Sequence, residues 1–371
     1  MEREAPAPCG AATRRHLLQR AALLAALMAA WPGRARARAL RADEQVLFVP
    51  AIARWLDAQR VEVDIHAWVY ERERRRGVQA LFARYLGLDR ATLPAEDRAR
   101  FDARCALFLT DSERAKVVDL VFDAPLQSQP HALPPTDAAG RSQARIVLDA
   151  RALPPDARTV GFRAQLTEGD ARQFLGHALL VPEDGLSVVS DIDDTVKITQ
   201  VNDRREMLLN TFVRPFQAAP GLSAHFRRLA KAEGTRFHYL SASPFQLAPA
   251  LEDFLQTEAF PAGSLHLRES TRWNTLIPGS GDSRAHKLGV IERLLADFPR
   301  RRFLLVGDSG EADPEIYAQV ARQHPTRIAA IVIRDVQAEG RAAARFVQNF
   351  AGLPEGLWHL LPPEGEPWPQ I

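Results

Sequence analysis

Three carboxylates follow an apolar run in residues 187–197, SVVSDIDDTVK. Asp191 and Asp193 stand two residues apart, and Asp194 comes next. Like charges at this spacing are costly unless a cation lies among them. Oxygen ligands without a neighbouring His or Cys favour Mg²⁺. The stretch therefore predicts a divalent-cation site where a buried strand ends.

The same residues suit phosphoryl transfer. A carboxylate that closes a strand, such as Asp191, can attack phosphorus and form an aspartyl-phosphate. Asp193 can protonate the leaving oxygen as a general acid and later activate water as a general base. Farther along the chain, Thr195, Ser241 and Lys287 are predicted to bind phosphoryl oxygens, and Lys287 also to neutralise charge.

Strands and helices alternate after the turn at residues 182–185, which predicts an α/β domain. It is expected to be Rossmann-like, with a parallel five-stranded sheet and flanking helices. The carboxyl ends of the strands would bring the candidate residues to one edge, and the short connections leave no room for a large cap. The strands are predicted to end at Ser190, Leu240, Leu267, Gly307 and Ile333, with helices near residues 222–229, 246–255, 288–295 and 314–323.

Residues 43–185 have a different pattern, in which apolar and polar residues alternate. Such alternation is typical of strands with one buried face. Together with Pro-rich turns it predicts a mainly β, sandwich-like domain, antiparallel throughout and without a cluster of reactive groups. Strands are predicted within residues 61–69, 116–123, 145–149 and 160–166, and one helix within residues 78–86.

Four motifs stand in the order and spacing of a known superfamily. DIDDT has the D-x-D-x-T form, and YLSASP, HKLGVIERLL and GDSGEADPEIY follow it. In these motifs the chain resembles the haloacid dehalogenase superfamily. More narrowly, residues 186–340 resemble the catalytic domain of the magnesium-dependent phosphatidate phosphatases first described in fungal actin patches, and of their bacterial relatives. The segment before it, with HAWVYE and RRRGVQALFARYLG, is similar to the domain that precedes it in bacterial members.

The resemblance implies a role for each matching residue. Asp191 is implied as the nucleophile and Asp193 as the acid/base, with Ser241 as the phosphate-binding hydroxyl and Lys287 as the matching lysine. The implied cofactor is Mg²⁺. Its implied ligands are Asp191, the carbonyl of Asp193, and Asp308, with Asp313 in support from the next loop.

Several neighbouring residues leave their roles open. Asp194 is expected to cap a helix or to support the site from behind, and Lys197 is expected to be solvated. Ser243 competes with Ser241 for phosphate binding and is expected instead to shape the turn. Glu311 fits a helix cap and a functional role equally well.

Residues away from these motifs carry weaker expectations. His238, His266 and His286 are scattered, which indicates core or surface positions more than metal binding. The loop at residues 268–284 is the predicted place for substrate contacts, in which Arg268, Arg272 and Trp273 could pair with phosphate and rest on lipid.

The N-terminus has the pattern of an export signal. An arginine-rich start leads into the apolar residues 21–31 and then into small residues spaced as a signal peptidase site requires. Residues 1–39 are thus predicted as a signal peptide, Tat-like or Sec, and the protein as exported and periplasmic. After residue 39 there remain 41 Lys and Arg against 44 Asp and Glu, which argues against nucleic acid as a partner. Cys105 is then alone, which excludes an intramolecular disulfide.

The sequence thus predicts a domain at residues 43–185, a catalytic domain at residues 186–360 and a Pro-rich tail at residues 361–371. The predicted activity is Mg²⁺-dependent hydrolysis of phosphatidate, with possible peripheral contact with a membrane surface. The alternatives are a periplasmic phosphatase of soluble phosphomonoesters and an exported lipid- or envelope-binding module with a vestigial phosphatase domain. The oligomeric state is not predicted.

Overall fold

The computed structural model describes residues 39–72, 77–126, 129–154, 156–269, 280–365 and 367–369. The signal predicted at residues 1–39 lies outside them except for its last residue. Residues 39–371 form one compact unit. Within the described ranges, no helix is long and apolar enough to cross a membrane.

The N-terminal part forms one nine-stranded mixed sheet, which corrects the prediction of an antiparallel sandwich. Its long third strand pairs with four others, and the second and ninth strands pair in parallel. A separate second sheet is absent from this described part because the β2–β9 pair joins β8, β5 and β6 to the strands that pair with β3. The strands are β1 (Glu44–Phe48), β2 (Ala51–Trp55), β3 (Arg60–Arg72), β4 (Thr110–Ser112), β5 (Asp119–Phe122), β6 (His131–Ala132), β7 (Arg141–Asp149), β8 (Thr159–Gln165) and β9 (Leu175–Val181).

Among the described residues between β3 and β4 there are two α-helices. The first, α1 (Val78–Tyr85), confirms the helix predicted at residues 78–86. The second, α2 (Ala95–Cys105), is not predicted by the apolar pattern because Phe101 and Cys105 are its only buried residues. Both helices pack into the same hydrophobic cluster as one face of the parallel sheet.

The C-terminal part contains a six-stranded parallel sheet in the order β12-β11-β10-β13-β14-β15. The five predicted strands are confirmed in their approximate positions, and the short sixth strand, which pairs with β14, corrects the five-stranded prediction. The strands are β10 (Leu186–Asp191), β11 (Arg236–Pro244), β12 (Gly263–Arg268), β13 (Arg302–Asp308), β14 (Ile328–Arg334) and β15 (Trp358–Leu361).

Helices cover both faces of this sheet. Successive residues of β10 point to opposite faces, so Val188 enters one hydrophobic cluster and Val189 the other. This double burial explains the continuous apolar runs in the sequence. The helices are α3 (Arg204–Leu208), continued by a π-helix (Leu209–Val213), α4 (Leu222–Leu229), α5 (Ala248–Thr257), α6 (Ser280–Asp297), α7 (Asp313–Gln323) and α8 (Ala344–Phe350).

The C-terminal tail contacts the parallel part, although the sequence predicts no structure there. The ring of Trp368 stacks on that of His225, with 4.8 Å between centroids. His225 Nε2 also lies 3.2 Å from the carbonyl oxygen of Gly365. The domain boundaries at residues 185 and 360 stay predictions.

Candidate active site

The candidate residues meet at the carboxyl edge of the parallel sheet. Asp191 is the last residue of β10 and Asp308 the last residue of β13, while Ser241 lies in the neighbouring strand β11. Lys287 comes from α6, which packs on the same sheet. All four side chains are buried. The chain topology therefore brings together residues that are up to 117 positions apart.

Lys287 is surrounded by carboxylates. Its Nζ lies 2.6 Å from Asp191 Oδ1, 2.6 Å from Asp313 Oδ1 and 2.8 Å from Glu311 Oε2. Asp308 lies beside them, and its backbone N–H donates to Asp313 Oδ2 at 3.2 Å. One ammonium group thus faces four acidic side chains in a buried space. This excess of negative charge is the main electrostatic feature of the site.

Three of these carboxylates have the arrangement of a cation site. Oxygen atoms of Asp191, Asp308 and Glu311 all lie within 4.8 Å of one another. Asp191 Oδ2 is buried and has no hydrogen-bond partner among the described residues. Buried carboxylate oxygens without partners are costly unless a cation or donor reaches them. An all-oxygen donor set with a free carboxylate oxygen fits Mg²⁺.

Burial and the surrounding negative charge shift the pKa values of three groups in the site, and the net shift of each is a rise. Burial raises the pKa of Asp191 well above its usual value, and the carboxylates of Asp313, Glu311 and Asp308 add to this rise, which Lys287 opposes. Burial, then the neighbouring Asp313, likewise raises the pKa of Asp308. Burial disfavours the charged form of Lys287, but its acidic neighbours raise the pKa of this lysine overall.

Asp193 has a different environment. Its Oδ2 accepts hydrogen bonds from Ser241 Oγ at 2.7 Å and Ser243 Oγ at 2.9 Å, and its Oδ1 accepts one from Thr199 Oγ1 at 2.8 Å. Lys197 Nζ lies 2.9 Å from Oδ1. Burial alone would raise the pKa of Asp193, but Lys197 and these hydroxyl donors lower it below the usual range. Asp193 is therefore held as a carboxylate.

Asp194 shapes the loop behind the site. Its carboxylate accepts three backbone N–H groups, those of Thr199, Gln200 and Val201, each at 2.7 Å. The expected helix cap is wrong, because the next helix, α3, begins only at Arg204. Asp194 instead closes a turn, in which its own backbone is left-handed (φ 57°).

The remaining predicted residues fall at or near the site with different partners. The hydroxyl of Thr195 lies 3.4 Å from Asp308 Oδ2. Asp313 accepts from Lys287 and from the backbone of Asp308, whereas Glu311, left open by the sequence, joins the carboxylate triad. The phosphate-binding and metal-ligand roles assigned from the sequence stay predictions. Arg272 and Trp273 lie outside the described residues.

One prediction from the sequence is wrong and another is confirmed. Lys197 is 1% exposed, so the expected solvated position is wrong. Its spacing of four residues from Asp193 is compatible with an ion pair, but this spacing does not distinguish a buried lysine from an exposed one. His238 and His266 are buried and both hydrogen-bond to Ser264 Oγ at 2.8 Å, which confirms core positions for these two histidines.

Comparisons with known proteins agree with the motif prediction. Residues 186–335 match the family model "Phosphatidate phosphatase APP1, catalytic domain". This segment resembles a phosphatidate phosphatase catalytic domain. The match begins at the first residue of β10 and ends one residue after β14, so it contains every site residue described above.

Two fungal relatives extend this comparison. Phosphatidate phosphatase APP1 of Saccharomyces cerevisiae is 37% identical over 155 residues, which are 40% of this chain and 26% of the yeast protein. An uncharacterised protein of Schizosaccharomyces pombe is 35% identical over 174 residues, 45% of this chain and 28% of its own. The chain thus spans little more than a quarter of the length of these relatives. A carbohydrate esterase structure covers 78% of this chain and 88% of its own at 10% identity, but its TM-score of 0.21 carries no argument.

Proposed function

We propose that this chain is a Mg²⁺-dependent phosphoric monoester hydrolase of the haloacid dehalogenase type, and that its substrate is phosphatidate or a related lipid phosphomonoester. The observation that carries the proposal is the buried carboxylate of Asp191, with one oxygen unpartnered among the described residues, next to Asp308 and Glu311. The match of residues 186–335 to a phosphatidate phosphatase catalytic domain supports the same activity.

The proposed reaction has two steps. Asp191 attacks phosphorus, the bond from phosphorus to the alcohol oxygen breaks, and a proton from Asp193 passes to that oxygen. In the second step Asp193 takes a proton from water, whose oxygen attacks the aspartyl-phosphate, so that phosphate leaves and Asp191 is restored. The lowered pKa keeps Asp193 deprotonated in the described arrangement, as the second step requires, whereas the first step requires a protonated Asp193 in the substrate complex.

The other residues bind and balance charge. Asp191, Asp308 and Glu311 would hold Mg²⁺, which when bound supplies positive charge to the phosphoryl oxygens. Lys287 neutralises part of the carboxylate charge and fixes Asp191 in place through its 2.6 Å contact. Ser241 and Ser243 orient Asp193 in the described arrangement, and Ser241 can turn to a phosphoryl oxygen when substrate binds.

Export completes the proposal. The predicted signal at residues 1–39 would place the enzyme in the periplasm, where lipid phosphomonoesters of the membrane surface and soluble phosphate esters are both accessible substrates. Hydrolysis of soluble phosphate esters is the alternative enzymatic function. The alternative without enzymatic activity is a binding module with a vestigial phosphatase domain.

Phosphate release from phosphatidate vesicles tests the activity. Wild-type protein with Mg²⁺ is expected to release phosphate, and a chelator is expected to stop the release. Asp191→Asn is expected to lose at least about 10³-fold in rate while retaining its melting temperature. Asp203→Asn, at an exposed helix cap, serves as the matched control and is expected to remain active.

The outcomes separate the rival functions. Faster hydrolysis of glycerol phosphate or nucleotides than of phosphatidate at equal concentration would reject the lipid substrate and keep the chemistry. Release from none of these esters by a folded protein would reject the enzyme and favour the binding module.

A further inference from the structure

A cavity of about 170 Å³ adjoins Asp193. The polar residues that line it are Asp193, Thr199, Thr211, Ser243 and Glu311, of which Asp193 and Glu311 belong to the carboxylates of the site. The rest of the lining is apolar and draws on both parts of the chain. Its larger apolar lining residues include Leu86, Val201, Met207, Leu208, Phe212 and Leu247.

The N-terminal helices build part of this wall. Leu86 directly follows α1, is 5% exposed and lines the cavity. The ring of Phe82, also in α1, contacts the ring of Phe212 edge to face, with 5.9 Å between centroids. The helices inserted between β3 and β4 therefore cover a space beside the catalytic residues, although no cap is inserted among the catalytic motifs.

Hydrogen bonds fix the π-helix that supplies the other wall. Arg104 in α2 donates to the carbonyl oxygens of Thr211 at 3.0 Å and Arg214 at 2.7 Å. Arg100 donates to the carbonyl oxygen of Val213 at 2.8 Å. π-helices are rare and occur frequently at functional sites. Here the π-helix places Thr211 and Phe212 on the cavity.

We infer that this cavity binds the hydrocarbon part of the substrate next to its phosphate. The inference rests on the proposed function, in which Asp193 protonates the leaving oxygen, so the carbon skeleton of the alcohol begins beside Asp193. The cavity is an apolar space that Asp193 itself lines. Leu86, Met207 and Phe212 are then specificity-determining residues, and the N-terminal helices contribute to substrate selection.

The size of the cavity limits how much of a lipid it holds. Pockets that enclose drug-sized ligands have about 300–1,000 Å³, so a cavity of about 170 Å³ takes only the first few carbons. Each methylene that leaves water for an apolar wall increases affinity by about fourfold. Affinity should therefore rise with chain length and then level off once the cavity is full.

Binding of alkylphosphonates tests this inference without turnover. Dissociation constants of ethyl-, butyl- and hexylphosphonate are measured by calorimetry on the full chain with Mg²⁺. Wild-type protein is expected to gain about fourfold per methylene from ethyl to butyl, with a smaller gain to hexyl. Met207→Gln keeps the length of the side chain but makes the wall polar, so the ethyl-to-butyl gain should fall at least about fourfold.

Two further variants keep the test decisive. Leu209→Gln places the same amide two residues away, on a half-buried side chain outside the cavity lining, and should retain the wild-type gain. Thr211→Phe fills the half-buried rim of the cavity and should abolish the gain even where Met207→Gln does not fold.

The result that overturns the inference is an equal affinity for all three phosphonates in wild-type protein, or an equal loss of the gain in Leu209→Gln. This failure can occur while phosphatidate hydrolysis is intact, so it leaves the proposed function standing. Conversely, a chain-length gain in a protein that releases no phosphate from any ester would support the cavity and reject the proposed activity.

Discussion

Two lysines, one in each part of the chain, are buried among carboxylates, but their charge balance differs. In the N-terminal sheet, Lys116 is 2% exposed and forms an ion pair with the buried Glu44, and Glu113 lies farther away at 3.8 Å. At the parallel sheet, Lys287 contacts Asp191, Glu311 and Asp313 within 2.8 Å, and Asp308 lies beside them.

The difference indicates what each group of charges is for. A buried pair of opposite charges is a structural contact. Removing one partner of such a pair weakens the compensation of the other, buried charge. A buried lysine outnumbered by carboxylates leaves negative charge without compensation, which a protein retains where a cation or a reaction uses it. The pair at Lys116 is thus structural, and the excess at Lys287 indicates a functional site.

The largest effect is expected from breaking the balanced pair. Lys116→Met removes the ammonium partner of the buried Glu44 and leaves it only the exposed Arg41, 2.8 Å away, so the free energy of unfolding should fall by about 3 kcal/mol, at the low end for a broken buried pair. Urea denaturation measures this change. The double variant Lys116→Met/Glu44→Leu removes both charges and should recover most of the loss. If the double variant were as unstable as the single one, the pair would not explain the stability of this region.

A smaller effect is expected from filling the unbalanced site. Mg²⁺ at a hundredfold excess over its dissociation constant should stabilise the wild-type protein by about 2.7 kcal/mol, because it binds the folded state. Asp308→Asn should abolish this stabilisation, which thermal unfolding with and without Mg²⁺ measures. Glu44→Gln is the matched control, and it should keep the Mg²⁺ effect although its starting stability is lower. An equal stabilisation by Mg²⁺ in Asp308→Asn and in wild-type protein would contradict the claim that the carboxylates around Lys287 bind a cation.

The smallest effect, when it is counted per pH unit, concerns a buried group that avoids charge altogether. Burial, with Arg301 and Arg236 nearby, lowers the pKa of His238 to about 3, so the folded protein holds this ring neutral. The unfolded chain takes up a proton near the ordinary value of 6.5, so the folded state is fully favoured above that pH. Its stability should fall by about 1.4 kcal/mol per pH unit between 6.5 and 3 for this residue.

His238→Gln should remove this part of the acid slope in pH-dependent denaturation. Ser264→Ala, which removes a hydrogen-bond partner of His238 but keeps the ring, is the control and should retain the slope. An unchanged slope in His238→Gln would show that other groups determine the acid response.

Much of the fold follows from patterns in the sequence, and the exceptions have local causes. The apolar runs predict the central strands because β10 and β13 are buried on both faces. Strand β15 has only four residues, too few for a clear apolar pattern in the sequence. Its strand conformation depends mainly on its pairing with β14. Helix α6 begins at Ser280, earlier than the sequence predicts. Its first turn is polar and has no apolar periodicity, so the apolar pattern does not reveal this start.

The site shows the same limit. Asp191, Asp193 and Asp308 could be predicted because each follows an apolar strand and parallel strands align their ends. Lys197 could not, since a lysine four residues after an aspartate has the same spacing on an exposed helix, and only the folded loop buries it. The cavity wall at Leu86 could not be predicted either, because it joins segments more than 100 residues apart.

Detection of a phosphorylated Asp191 tests the central claim most directly. In Asp193→Asn, an aryl phosphate needs no proton on its leaving group, whereas hydrolysis of the intermediate lacks its base, so the aspartyl-phosphate should accumulate. Acid quenching, proteolysis and mass spectrometry should then find one phosphoryl group on Asp191, dependent on Mg²⁺ and removed by hydroxylamine. Release of the aryl alcohol with no phosphoryl group on Asp191, or with the group on another residue, would contradict the account.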